Sequence, residues 1–289
     1  MTHILVTGAA GHLGRRIVEL LLDSKPGHII AATRDTAKLA DLAARGAETR
    51  RADFDDAASL DTAFAGVDRL LIISTDSLGE EGKRLKQHLA ALAAAKKTGV
   101  KHIVYTSMPN PDNSHVIFAP DHLGTENAIK ASGIPYTILR NAWYMENLAM
   151  ALPAALASGQ WYSSAGDGRN GYIAREDCAR SAAAVLANPP VNQTLTLTGP
   201  QAVTTTEVAA LASEIFAKPL TVIDVTDQQL AGGMKAAGVP EFLIPMLVSF
   251  DTTTRAGGFN VQTDAVEHLT GRQPQNLRDF LTANTALFG

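Results

Sequence analysis

The chain has 289 residues, 46% of them apolar and 19% charged, with a net charge of -4 and a pI near 6.1. That length allows two domains or one large one. The composition is too apolar and too weakly charged for a disordered chain, and the acidic balance weighs against a general nucleic-acid or anionic-membrane binder. One cysteine, Cys178, excludes an internal disulfide and an all-cysteine metal site and fits a reduced, cytoplasmic setting.

Ile4-Leu5-Val6 reads as a strand at once, with no basic segment and long apolar run before it, so no signal peptide is expected. The longest helix-like apolar stretch, Leu89 to Ala95, is too short for a membrane span. Strands are predicted at His3–Thr7, His28–Thr33, Glu48–Ala52, Arg69–Ser74, His102–Thr106 and Tyr136–Leu139. Helices are predicted between them, at Leu13–Leu22, Thr36–Arg45, Ala57–Phe64, Glu80–Lys97 and His122–Ala131. Continuous apolar strands such as Leu70-Leu71-Ile72-Ile73 imply burial on both faces, and strand–helix alternation then implies a parallel sheet covered by helices. Gly46, Gly66, Gly99 and Gly133 each follow a helical stretch, where a left-handed cap is expected. The expected fold is α/β, a doubly wound parallel-sheet Rossmann fold over 1–150, with a smaller helix-rich lobe over 151–289. That lobe is read as helix Arg175–Ala187, strand Thr194–Thr198, helix Thr205–Phe216, strand Leu220–Val225 and mostly helix beyond, with segments returning to the main sheet.

The strongest motif is Val6-Thr7-Gly8-Ala9-Ala10-Gly11-His12-Leu13-Gly14, a strand running through three glycines into an amphipathic helix. Gly8 permits the tight turn, Gly11 lets the backbone approach a pyrophosphate, and Gly14 allows close packing of helix on strand. The pyrophosphate would rest on unpaired N–H groups at the helix N-terminus. Thr7, His12 and Leu13 flank it.

Twenty residues beyond Gly14 the second strand ends Ala31-Ala32-Thr33-Arg34. Thr33 stands where an NAD site needs a carboxylate for the ribose 2′-hydroxyl, and Arg34 offers a guanidinium fork to a 2′-phosphate instead. Lys38 adds a second charge one turn on. This favours NADPH. The other reading makes Arg34 a solvated loop residue and Asp35 the cap of the next helix, and Asp35 could also accept a ribose hydroxyl. Asp53 and Phe54 follow the third strand, placed to meet an adenine amino group and flank its ring, although Asp53 could equally cap the helix near Asp56.

With these residues the chain resembles the NmrA-like group of atypical short-chain dehydrogenases/reductases, most closely its type 2 NADPH:quinone oxidoreductases and next its triphenylmethane reductases. The resemblance spans essentially the whole chain. It is carried by Val6–Gly14, Arg34, Asp53, Leu70–Ser74, Val100–Ser107, Pro135–Tyr144, Arg175-Glu176-Asp177 and Leu197-Thr198-Gly199-Pro200. It implies two-electron hydride transfer from NADPH to a quinone-like planar acceptor, with no flavin and no metal. It also leaves a second reading, a non-catalytic NADP(H)-binding redox sensor. No nucleic-acid or membrane partner is expected, and a homodimer is compatible with it.

The usual Tyr and Lys four residues apart on one helix are missing: none of Tyr105, Tyr136, Tyr144, Tyr162 and Tyr172 has a Lys four on. At the expected helix stand His122 and Glu126, on one face by their spacing. Relatives often carry Lys at the second position; Glu126, counted among the cofactor-side candidates, cannot supply its positive charge, which weighs against a Tyr/Lys alcohol–ketone mechanism. His122 is the candidate proton donor, with solvent as the other source. Strand ends supply the remaining candidates: Ser74, Thr75 and Thr106 toward the cofactor, Ser107 toward the acceptor, and Asn141 to orient a carboxamide or quinone oxygen. Trp143 and Tyr144 offer flat surfaces for a planar acceptor, with helix core as the alternative reading. No metal ligand set is expected.

Overall fold

The computed structural model describes residues 1–77 and 79–289. Seven parallel strands form the central sheet: β1 (His3–Val6), β2 (His28–Thr33), β3 (Glu48–Arg51), β4 (Arg69–Ile72), β5 (His102–Ser107), β6 (Tyr136–Asn141) and, from later in the chain, Gln193–Leu197. Their order is β3-β2-β1-β4-β5-β6 followed by the Gln193–Leu197 strand, so connections run outward in both directions from the β1/β4 boundary. At such a reversal the crossover helices leave to opposite faces, and a crevice opens at the strands' carboxyl ends.

Alternation of side chains explains the all-apolar strands. Ile4, Val6, Leu71 and Val104 point to the face covered by α1 (His12–Ser24) and by the later helix Arg175–Ala187. Leu5, Leu70, Ile72, Ile103 and Tyr105 point to the other face, under α3 (Ala57–Phe64), α4 (Lys83–Thr98) and α5 (Ala119–Ala131). The short α2 (Ala40–Ala44) follows a 3-10 turn at Thr36–Leu39, so the single helix expected over Thr36–Arg45 is split. The helix expected from Glu80 starts at Lys83, after Gly82 in a left-handed conformation (φ 72°). The helix expected from His122 starts three residues earlier, since Pro120 sits in the first turn, where its missing N–H costs nothing. Gly46, Gly66, Gly99 and Gly133 all have positive φ, as their positions after helices require.

Beyond residue 150 the chain runs α6 (Leu152–Ser158), β7 (Gln160–Ser163), β8 (Arg169–Asn170), α7 (Arg175–Ala187), β9 (Gln193–Leu197), β10 (Val203–Thr204), α8 (Thr205–Phe216), β11 (Thr221–Asp224), α9 (Asp227–Ala236), α10 (Ile244–Arg255), α11 (Ala265–Thr270) and α12 (Leu277–Ala283). α7 packs against α1, and β9 pairs in parallel with β6 from Thr137 opposite Gln193 to Asn141 opposite Leu197. β7 pairs in parallel with β11, and β8 antiparallel with β10. Leu148, Leu152, Val208, Ala212, Phe280 and Phe288 fill the core of this lobe. α8 and α9 each begin with a reciprocal cap, Thr204 with Glu207 and Thr226 with Gln229. No helix among the described residues is long and apolar enough to cross a membrane.

Candidate active site

A cleft of about 430 Å³ lies at the carboxyl ends of β1, β2, β3 and β4. Gly8, Ala10 and Gly11 line its centre, Arg34, Asp35 and Lys38 one end, Asp53 and Phe54 the base side, and Ile73 to Ser77 with Gln87 the far wall. The glycine turn is shaped as its spacing predicts. Gly8 has a φ of 62°. A Cβ on Gly14 would lie 2.4 Å from the Gly8 carbonyl oxygen, so α1 could not approach β1 with any other residue there. A Cβ on Gly11 would meet only that oxygen, at 3.3 Å, and would otherwise project into open space. Steric necessity inside the chain therefore explains Gly14, whereas at Gly11 it is the approach of a ligand that a side chain would obstruct.

Arg34 is exposed at the cleft and has no hydrogen-bond or ion-pair partner among the described residues. The turn bearing Lys38 is held from α1: Arg15 donates to the Lys38 carbonyl at 2.7 Å and pairs with Asp41 at 2.5 Å. Asp35 accepts from the Ala37 amide at 3.1 Å and caps the turn while also lining the cleft. Asp53 leaves the capping of α3 to Asp56, whose carboxylate accepts from the Ser59 amide at 3.2 Å. An exposed, unengaged guanidinium beside an ammonium, opening on a glycine turn at a helix N-terminus, fits a dinucleotide with a 2′-phosphate.

Eight of the predicted cofactor residues thus meet in one cleft: Gly8, Gly11, Arg34, Lys38, Asp53, Phe54, Ser74 and Thr75. The others sit elsewhere. His12 and Leu13 open α1, with His12 exposed and Leu13 buried in the core. The Thr7 hydroxyl donates to the Leu71 carbonyl at 3.0 Å and accepts from the Ile73 amide at 2.9 Å, so it serves the sheet. The Thr106 hydroxyl likewise accepts from the Ser74 amide at 2.9 Å. Glu126 is wholly buried and faces β6. It accepts from Arg140 twice, from Ser107 at 2.7 Å and from Lys130 at 3.2 Å. Burial pushes this carboxyl up, but the hydrogen bonds from Arg140 and Ser107, the Arg140 charge and Lys130 outweigh it and hold the group below its ordinary range. With both oxygens so engaged, it has nothing to offer a cofactor directly.

His122 is buried between α5 and β5. Its Nδ1 lies 2.8 Å from the Tyr105 hydroxyl and its Nε2 3.2 Å from an Arg84 nitrogen. Burial first, then the Arg84 charge and His88, push its pKa well below the usual histidine value. The ring is neutral at physiological pH and its nitrogens are committed, which is not the setting of an acid poised to donate.

Asn141, at the end of β6, is turned to the opposite face. Its Nδ2 donates to the Tyr144 hydroxyl at 2.9 Å, and its buried Oδ1 has no partner among the described residues. A buried acceptor without a donor is costly unless a ligand supplies one. The Tyr144 ring lies beneath the Arg175 guanidinium, 5.4 Å away, and burial pushes its phenol up. The Trp143 ring meets Phe250 of α10 at a centroid distance of 3.8 Å. Phe250 in turn packs on Phe118 and Phe259, closing an aromatic cluster beyond β5 and β6. Sequence reasoning missed Phe250, Gln87, Asp76 and Ser77. They carry no motif, and only the tertiary fold brings them to the site. Among the described residues no three His, Cys, Asp or Glu side chains converge to hold a metal.

A model of the NmrA-like family matches residues 1–281. Quinone oxidoreductase 2 of Escherichia coli is 37% identical over 278 residues, 96% of each chain. A structure of NADPH-dependent quinone oxidoreductase from that organism, complexed with NADPH, superposes with a TM-score of 0.92 at 36% identity, over 99% of this chain and 100% of the other. Triphenylmethane reductase of Citrobacter sp., complexed with NADP(H), gives 0.91 at 33% identity, over 97% of this chain and 99% of the other.

Proposed function

The chain belongs to the NmrA-like family, and on that premise we propose that it is an NADPH-dependent oxidoreductase reducing quinone-like planar acceptors by two electrons. The observation that carries the cofactor half is the unengaged Arg34 guanidinium at the end of β2, across the cleft from the glycine turn. NADPH bound there supplies a hydride from its nicotinamide ring. The protein supplies position: Gly8 and Gly11 keep the backbone bare for the pyrophosphate, and Arg34 with Lys38 takes the 2′-phosphate. Asn141 offers its unpartnered Oδ1 as an acceptor for an amide N–H.

Trp143 and Tyr144, following β6, provide the flat apolar surface against which a planar acceptor is aligned. A quinone needs no strong acid, because its reduced oxygen takes a proton readily from water. That removes the need for a Tyr/Lys pair, and it agrees with a neutral, enclosed His122. Cys178 takes no part: burial pushes its thiol far up and keeps it inert.

The test is the fall of NADPH absorbance on adding a small quinone to purified, flavin-free protein. NADPH deuterated at the transferred C4 position should slow the single-turnover rate by a primary isotope effect. Tight NADPH binding with no oxidation by any quinone would overturn the enzyme reading in favour of a sensor.

A further inference from the structure

β4 ends its strand pairing at Ile72, yet the next three residues remain on the wall of the cleft. Their amides are each taken by a side chain from a different neighbour. The Ile73 amide donates to Thr7 Oγ1 of the β1 end at 2.9 Å, the Ser74 amide to Thr106 Oγ1 of β5 at 2.9 Å, and the Thr75 amide to His88 Nε2 of α4 at 3.0 Å. The Thr75 carbonyl accepts from Arg84, also of α4. Side chains here replace the strand partner that the opening of the sheet removes.

The proton positions in this ladder follow from the donors. His88 Nε2 accepts a backbone N–H, so the neutral ring carries its proton on Nδ1 and donates to Thr125 Oγ1 at 2.9 Å. Thr125 passes its own proton to the Asp121 carbonyl at 2.7 Å. Arg84 donates to His122 Nε2, so His122 donates from Nδ1 to the Tyr105 oxygen. His88 and His122 are thus both neutral in a buried network whose outermost contact is the Thr75 peptide group. The same residue keeps a buried hydroxyl, Thr75 Oγ1, with no partner among the described residues.

We propose that His88 and Arg84 are positioning residues for the dinucleotide: from α4 they hold the Thr75 peptide, and with Thr7 and Thr106 they fix the wall against which the cofactor lies. This rests on reading the cleft as an NADPH site. His88 touches no ligand; it acts through Thr75, which lines the cleft.

The test compares His88→Leu, His88→Gln and Tyr105→Phe with the wild type. Two readouts are taken: NADPH affinity by titration, and amide hydrogen exchange at Thr75 in the cofactor-free protein. Leu leaves the Thr75 amide without an acceptor, so NADPH should bind about tenfold more weakly, and Thr75 should exchange faster by a similar factor. Gln carries an amide oxygen and should recover part of both. Tyr105→Phe removes a hydroxyl that lies 2.8 Å from His122 Nδ1 and 3.3 Å from His88 Nδ1, but it leaves His88 Nε2 free to accept the Thr75 amide. It should lower Tm while leaving both readouts near wild type.

Unchanged exchange and affinity in a folded His88→Leu protein would overturn the proposal. Faster exchange with unchanged affinity would also overturn it, as would an equal loss of affinity in Tyr105→Phe. If His88→Leu does not fold, the Gln variant carries the comparison. A wild-type protein that binds no NADPH overturns the reading of the cleft, whereas the hold of His88 on Thr75 is read separately from the exchange rate.

Discussion

Both carboxylate oxygens of Glu126 are held by one guanidinium, that of Arg140, with Nε to Oε1 at 2.8 Å and a terminal nitrogen to Oε2 at 2.7 Å. The pair bridges α5 and β6. Removing one partner of a buried pair leaves the other charge uncompensated, typically at about 3–5 kcal/mol. Arg140 keeps about a fifth of its side chain exposed, so Glu126→Ala should cost about 3 kcal/mol, the lower end of that range. Denaturant unfolding measures it. Glu126→Lys should be worse, since the new charge faces both Arg140 and Lys130, and it should create no alcohol–ketone activity. A stable Glu126→Lys protein would show the pair to be dispensable.

Arg34→Ala should weaken NADPH binding by one to two decades and leave NADH nearly unchanged. A charge-assisted contact to a phosphate is worth about 1.5–3 kcal/mol, and Arg34 has no competing partner among the described residues. Titration of both nucleotides against both proteins gives the ratio. Equal losses for the two would remove Arg34 as the phosphate reader.

Much of the Rossmann half was legible because its signals are local. Apolar runs gave the six strands to within two residues at each end, and four glycines marked helix ends correctly. The Gln193–Leu197 strand could be read as a strand, but its pairing with β6 comes from residues more than fifty positions away. The cleft was legible where a residue type has its own conformational or charge signature, as at Gly8, Gly11 and Arg34. It was not legible at Thr7 and Thr106, whose strand-end positions suggested ligand contact. Their hydroxyls instead replace missing backbone partners of Ile73 and Ser74. Tyr105, inside an apolar strand, reads as core, and nothing local shows that it lies under His122.

Gly11 and Gly14 should separate into a binding role and a folding role. Gly11→Val should fold and fail to bind NADPH, since its side chain projects where a pyrophosphate must approach. Gly14→Ala should lose stability instead, by about 1–3 kcal/mol, as overpacking does. Its Cβ would stand 2.4 Å from the Gly8 carbonyl oxygen, and α1 must shift to admit it. Thermal unfolding and NADPH titration on both variants test the division, and a Gly14→Ala protein with wild-type Tm would contradict it.

His122→Leu should leave quinone turnover within a few-fold of wild type. A general acid or base contributes about 10²–10⁴-fold, and a loss of that size would restore His122 as the proton donor. The pH profile of turnover gives a second reading: with solvent supplying the proton, it should show no limb that disappears in His122→Leu.

Three buried histidines make stability fall as the pH drops below about 6.5. His88 is pushed down to about 3 by burial and the Arg84 charge, and His102 to about 4 by burial and the Arg69 charge. His122 is held well below the usual histidine value by burial, Arg84 and His88. In the unfolded chain each titrates near 6.5. Between about pH 6.5 and 5 the unfolded state therefore binds protons that the folded state refuses, and unfolding free energy rises with pH. The contribution is fully present above 6.5 and is lost as pH falls toward the folded values. Each histidine approaches a slope of about 1.4 kcal/mol per pH unit once pH is well below 6.5. Asp121, Asp177 and Asp251, raised by burial, act with the opposite sign as they protonate. Urea unfolding at intervals from pH 7.5 to 5 should show falling stability, and His102→Gln should flatten the slope by one proton's share. A slope unchanged by that substitution would mean that His102 is already protonated in the folded protein, and the burial argument would fail there.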